Sequence, residues 1–239
     1  MKKVLLIILL IAIYQVVNSL FPNNYLPSIF QIFEAFLKNL SDREIYLHIT
    51  ASLLRISIGF LIASIAGISF GLILAYDQRL RDLKLYIELL RPIPPIAWIP
   101  IAIIIFGLGN ASAYFIVFLG AFFPIFTNTY FGAMSIPHIY KNVVSSFEVS
   151  KFKYFFKILL FFSLPYIFTG LKTGIGMAWM SVIAAELIGA QSGLGYFIQL
   201  NRLLLQTDNI IIGMILIGII GNLLQKLIEF VGEKIIVWN

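Results

Sequence analysis

Long apolar runs broken by short polar clusters dominate this chain. The runs extend from Val4 to Phe21, Ile49 to Tyr76, Pro92 to Gly107, Ala111 to Phe131, Leu164 to Ile188 and Ile210 to Val231. They are continuous and lack the period-two alternation of a barrel strand. Crossing a hydrocarbon layer of roughly 30 Å takes about 20 helical residues, so the runs match spans in length. The pattern predicts an all-α fold: a polytopic membrane helix bundle of about six transmembrane helices. No internal repeat or low-complexity stretch divides the chain, so residues 1–239 are read as one transmembrane domain. The first run also fits a secretory signal, with Lys2 and Lys3 ahead of it. Asn18-Ser19 is a poor cleavage site, however, and an uncleaved anchor is expected.

The polar clusters between the runs carry their own patterns. Pro22 to Leu47 reads as an amphipathic helix at the outer surface. Asp77 to Arg91 alternates in sign and reads as a solvated turn or short helix on the opposite side. In RPIPPIAWIP, four prolines within nine residues withhold backbone donors, so no regular helix begins before Pro95. Such irregular backbone is either packed inside protein beside a water-filled path or a proline-rich helix start at the interface. Gly67 with Gly71, and Gly170 with Gly174, are spaced for close helix packing. The segment Gly189 to Ile198, with three glycines, reads as a turn into a short surface helix.

The longest polar loop, residues 132–163, is the most informative. It sets Tyr140, Val143, Val144 and Phe147 on one face of a short helix and Lys141, Asn142, Ser145 and Ser146 on the other. Lys151, Lys153 and Lys157 follow. Periodicity leaves two roles open: lying on anionic lipid, or filling a groove on a partner protein.

Composition narrows the class. Hydrophobic residues make up 60% of the chain and charged residues 12%, and the mean hydropathy is +0.97. A disordered chain and an ordinary soluble enzyme are excluded. Cys is 0 and His 2, so thiolate metal sites and cysteine nucleophiles are excluded too, and no metal site is expected. The net charge of +6 is a matter of topology. Of the 17 Lys and Arg residues, twelve fall on the side of Lys2 and Lys3, while Lys38, Arg43 and Arg202 fall on the other and Arg55 and Lys172 lie within spans. This positive-inside bias puts both termini in the cytoplasm and needs no nucleic-acid partner.

Ionisable groups inside spans each cost at least about 2.5 to 3.5 kcal/mol at mid-membrane. Arg55 and Glu186 lie at similar depth near the outer ends of their spans and are expected to pair, with direct contact between Arg55 and a passing anion as the second reading. Lys172, nearer the inner face, is expected to snorkel toward it in preference to a contact with substrate. In the fifth span Thr173, Gly176, Trp179, Met180 and Ser181 mix small, polar and aromatic surfaces suited to lining a translocation path, and Trp98 can join them. The chain contains no G-x-x-x-x-G-K-[ST] loop to cradle ATP. Energy from ATP would therefore come from another chain, and an ion-coupled secondary transporter and an intramembrane enzyme are the readings that need none. The last is disfavoured because His48 and His138 fall on opposite sides, so no catalytic residue is assigned.

Three motifs carry a family resemblance: RPIPPIAWIPIAIIIFGLG, GAFFPIFTNTYFGAMSIP and SLPYIFTGLKTGIGMAWMSVIAAELIGAQSGLGYFI. In that order they resemble the inner-membrane permease of binding-protein-dependent ABC importers, in the branch that includes nitrate, sulfonate, taurine and thiamine-precursor permeases. The resemblance covers the chain from about Ser52 onward. It implies a type I importer fold in the cell inner membrane and a translocation path formed by two copies of the chain, for a small anionic or heterocyclic solute. It also implies two cytoplasmic ATPase subunits that bind ATP and Mg, an extracytoplasmic solute-binding protein, and no cofactor in this chain. The helix of the long loop would be the coupling helix, docking through Tyr140, Val143, Val144 and Phe147. The family's Glu-Ala-Ala-x-x-x-Gly signature is eroded: those positions, counted back from Leu164-Pro165, hold Asn142, Val143, Val144 and Glu148. Asn142 supplies no carboxylate, and Glu148 replaces a glycine that permits a bend.

Overall fold

Helix starts in this chain are set by polar caps lying outside the apolar runs. Ser28 opens α1 (Ile29–Ser41) with a capping box: the Gln31 amide donates to Ser28 Oγ at 3.3 Å, and the Ser28 amide donates to Gln31 Oε1 at 2.7 Å. Asp42 then caps α2 (Arg43–Tyr76), accepting from the Glu44 amide at 2.9 Å. The second span therefore begins six residues before the Ile49 that the apolar run predicts. The computed structural model describes residues 13–16, 18, 26–137, 139–140, 144 and 146–236. The predicted first span, Val4 to Phe21, lies outside the described residues apart from 13–16 and 18.

After α2 a single 3-10 turn, Gln78–Leu80, leads into α3 (Leu83–Leu90). The proline run follows. A second 3-10 turn starts at Pro95, where the prolines first allow a helix, and continues into α4 (Ile99–Phe106). The two arms of this segment meet at 89°. Gly107 (φ 77°) and Gly109 (φ 120°) turn the chain into α5 (Asn110–Met134) through backbone conformations that side chains resist.

The fifth span is longer than its apolar run. α6 extends from Lys151 to Gly189, 39 residues with a π turn at Phe155–Leu159. Ser150 Oγ caps its start, accepting from the Lys153 amide at 3.4 Å. At 1.5 Å per residue such a helix is about 58 Å long, so it projects well beyond a hydrocarbon core of about 30 Å. α7 (Leu194–Leu203) and α8 (Thr207–Ile235) complete the chain. Among the described residues four helices are long and apolar enough to cross a membrane: α2, α5, α6 and α8. The bent segment makes five if counted as one span.

α5 is the centre of the bundle, gripped between α2 and α6. Glycines on both neighbours make the grip possible. A Cβ on Gly67 of α2 would stand 2.9 Å from Ile125 Cγ2, and one on Gly174 of α6 would stand 2.9 Å from Ile125 Cγ1. Ile125 is thus fully buried between two glycine faces. Val117, Ala121 and Phe126 share that burial. α8 is joined to this core mainly through α6 and α7, and Met214, Ile219, Leu223, Leu227 and Phe230 on it stay exposed in the single chain.

Candidate functional site

Three places bring functional side chains together. The first is where α2, α6 and α7 meet at one end of the bundle. Burying the Arg55–Glu186 charges requires that nearly every polar atom find a partner, and it does. Arg55 Nη1 donates to Glu186 Oε1 at 2.8 Å, with side-chain exposures of 6% and 0%. The guanidinium also donates to Asn110 Oδ1 through Nε (2.8 Å), to the Ser192 carbonyl through Nη1 (2.5 Å) and to Ser192 Oγ through Nη2 (2.7 Å). The Glu186 carboxylate further accepts from Ser52 Oγ and from the Gly195 amide at 3.0 Å. The Leu194 amide donates to Ser52 Oγ at 2.9 Å and the Gly193 amide to His48 Nδ1 at 3.1 Å.

Taken together these bonds form a helix cap. The first amides of α7 have no intrahelical acceptor. Here those of Gly193, Leu194 and Gly195 are satisfied by His48, Ser52 and Glu186, borrowed from α2 and α6. A carboxylate at that terminus also complements the helix dipole. Gly193, with φ 111°, leaves room where a Cβ would collide with the Glu186 carboxylate. The arrangement fastens the outer turn and α7 to the bundle. Sequence reasoning missed His48, Ser52, Asn110 and Ser192. A usable signal was present for two of them, since His48, Ser52 and Arg55 share one helical face by spacing.

The second place is a pair of adjoining cavities between α6 and α8. One, of about 690 Å³, is lined from α6 by Lys172, Thr173, Gly176, Met177, Trp179 and Met180, and from α8 by Ile217, Gly218, Gly221, Asn222 and Gln225. The other, of about 710 Å³, is lined by Pro165, Phe168, Thr169, Lys172, Ile228, Glu229, Gly232, Glu233 and Ile236. Lys172 belongs to both. Its Nζ lies 2.6 Å from Glu229 Oε1, so instead of snorkelling alone it pairs with a partner on the facing helix. Trp179 donates from its indole to the Ile217 carbonyl at 2.9 Å and lies over Gly221.

Of the predicted path residues, Thr173, Gly176, Trp179 and Met180 therefore share one cavity wall. Ser181 faces the other way: it is buried against Gly120 of α5 and its hydroxyl donates to the Met177 carbonyl at 2.7 Å. Trp98 is also elsewhere, packed on the cluster of Ile99, Ala102, Ala113, Ile116 and Ala185, and its Nε1 is buried without a hydrogen-bond partner. Among the described residues no three His, Asp or Glu side chains converge as metal ligands would.

The third place is the long inner loop. Asn142 and Val143 lie outside the described residues, as do Lys141 and His138. Tyr140 stacks toward Phe162 of α6 with ring centroids 4.7 Å apart. Val144 is half-buried and its carbonyl accepts from the Val149 amide at 3.2 Å. Phe147 is 78% exposed. Glu148 adopts φ 48°. The left-handed bend expected of a glycine at this position is therefore kept, with a glutamate in it, at a cost of roughly 1–2 kcal/mol.

With the geometry in place, comparison with known proteins gives a consistent result. Residues 49–230 match the family described as binding-protein-dependent transport system inner membrane component. A nitrate import permease of Leptolyngbya laminosa is 36% identical over 197 residues, 82% of this chain and 71% of that protein. A bicarbonate transport system permease of Synechococcus elongatus is 38% identical over 197 residues, again 82% and 71%. Among solved structures, a chain of the MetNI methionine ABC transporter in inward-facing conformation superposes with a TM-score of 0.66. It is 20% identical and the match covers 82% of this chain and 97% of that one, a likeness of fold.

Proposed function

The chain belongs to the family of binding-protein-dependent transport system inner membrane components and is a multi-pass permease subunit of an ABC importer; from that premise we propose how it works and what it carries. Two copies pair through the exposed faces of α6 and α8 and enclose the cavity between them as the translocation path. Thr173, Gly176, Trp179 and Met180 line that path, whereas Trp98 and Ser181 support it from behind. Both termini and the loop of residues 132–163 face the cytoplasm. There Tyr140, Asn142, Val143, Val144, Phe147 and Glu148 dock onto two separate ATPase subunits, which hold the ATP and Mg while this chain holds no cofactor. A solute-binding protein delivers cargo at the opposite face, against the turn that Arg55 and Glu186 fasten. The cargo is a small anion, the class named in both the nitrate and the bicarbonate relative.

The observation that carries this reading is the α6–α8 cavity. The facing helices place Lys172, Thr173, Asn222 and Gln225 around one open space of about 690 Å³, a lining that suits a wet path and would be costly against lipid. Coupling is tested by replacing Val143, Val144 and Phe147 with charged residues in the assembled complex. ATP hydrolysis should continue while uptake is lost and the bundle stays folded. Uptake at the parental rate would overturn the docking assignment.

A further inference from the structure

Lys172 occupies a position that the transport reading alone does not explain. It lies fourteen residues inward from Glu186 on the same helix, about 21 Å at 1.5 Å per residue. Lys172 and Glu229 side chains are 45% and 46% exposed in the single chain. Charges this exposed would be costly against hydrocarbon, so the pair faces water or a second copy of the chain. It stands where the two cavities meet. Of the described residues lining the cavity toward Met180, Lys172 is the sole charged one. On its inner side the second cavity adds two carboxylates, Glu229 and Glu233. Along the wall the charged side chains thus pass from a cation to carboxylates at this one residue.

We infer that Lys172 is the residue that recognises the anionic solute in the path, and that Glu229 holds its ammonium while the path is empty. This rests on the cavity between α6 and α8 being the path, as proposed above. A small anion arriving from the outer side meets an apolar and neutral polar wall, with Asn222 and Gln225 as amide donors, and then a single cation. Binding there is a partner exchange. The ammonium leaves the Glu229 carboxylate for the solute, no proton moves, and the freed carboxylate turns into the roomy inner cavity, where water solvates it. A cationic solute gains nothing from this arrangement, since it would meet Lys172 before either carboxylate.

The chain has no cysteine, which allows a direct test in the assembled complex. Asn222→Cys places one thiol in the cavity beside Lys172. Its modification rate is measured with two thiosulfonate reagents of similar size, one bearing a sulfonate and the other a quaternary ammonium. A focused field raises counter-ion concentration by tenfold or more, so the anionic reagent should react roughly tenfold faster. That bias should vanish with Lys172→Gln, persist with Lys172→Arg and grow with Glu229→Gln. An unchanged bias in Lys172→Gln, or preference for the cationic reagent in the parent, overturns the assignment to Lys172. A thiol that reacts with neither reagent overturns something earlier, the reading of this cavity as a water-filled path. Size-exclusion profiles identify any variant that fails to assemble; if Lys172→Gln is one, Glu229→Gln carries the test, and a bias that does not grow in it overturns the assignment.

Discussion

Among the described residues two ion pairs join one span to another, and they differ in how completely their partners are satisfied. At the outer end Arg55 and Glu186 are buried, share partners with Ser52, Asn110, Ser192 and the first amides of α7, and leave little for a solute to bind. Deeper in, Lys172 and Glu229 are half-exposed and joined by a single contact at the junction of two cavities. Desolvation makes the first pair costly to break and the second easy to exchange. A membrane charge is therefore read by how completely its partners are satisfied, and not by its presence alone.

The comparison breaks most readily at Glu186. Glu186→Ala leaves the Arg55 charge buried and uncaps α7, and should lower stability by about 3–5 kcal/mol, read as lost thermal stability of the detergent-solubilised protein. Replacing both members with Arg55→Met and Glu186→Leu should cost less than the single change. Equal losses would mean that the pair contributes nothing beyond its individual contacts. Midway between the two ends, Gly67→Leu should cost about 1–3 kcal/mol by overpacking against Ile125, and a smaller loss in the same assay would show that α2 and α5 have slack. At the inner end Glu148→Gly should relieve the left-handed glutamate and raise stability by up to about 1 kcal/mol. A destabilised variant would mean that the side chain makes a contact worth more than the strain. Smallest of all, Lys172→Met with Glu229→Leu should change stability by no more than about 1 kcal/mol while abolishing uptake of the solute. A loss as large as that at Glu186 would erase the contrast between the pairs.

Much of this was legible in the amino-acid order. Charges at matched depth in apolar runs point to Arg55 and Glu186 because neither run offers another charge at that depth to offset their burial. The proline run foretells the start at Pro95, and glycine spacing foretells the faces that close on Ile125. Other features depend on contacts between distant segments. Two of the three side chains that cap α7, His48 and Ser52, come from 145 and 142 residues earlier, and no local pattern reports them. The partner of Lys172 depends on the register of α6 against α8, which neither helix encodes alone. α2 and α6 start earlier than their apolar runs because Asp42 and Ser150 nucleate helix in water before the chain enters lipid. At Glu148 the sequence marks the substituted position, whereas only the backbone shows that the bend survives the substitution.

The central claim, that the loop between α5 and α6 grips a separate motor in the cytoplasm, is tested most directly by a single cysteine. In this cysteine-free chain, Phe147→Cys places a thiol at an exposed position of that loop. It should react with a membrane-impermeant maleimide in inside-out vesicles, stay protected in intact cells, and cross-link to a nucleotide-hydrolysing subunit. Labelling from outside intact cells, or a thiol on the cytoplasmic face that never cross-links to such a subunit in the assembled complex, would contradict it.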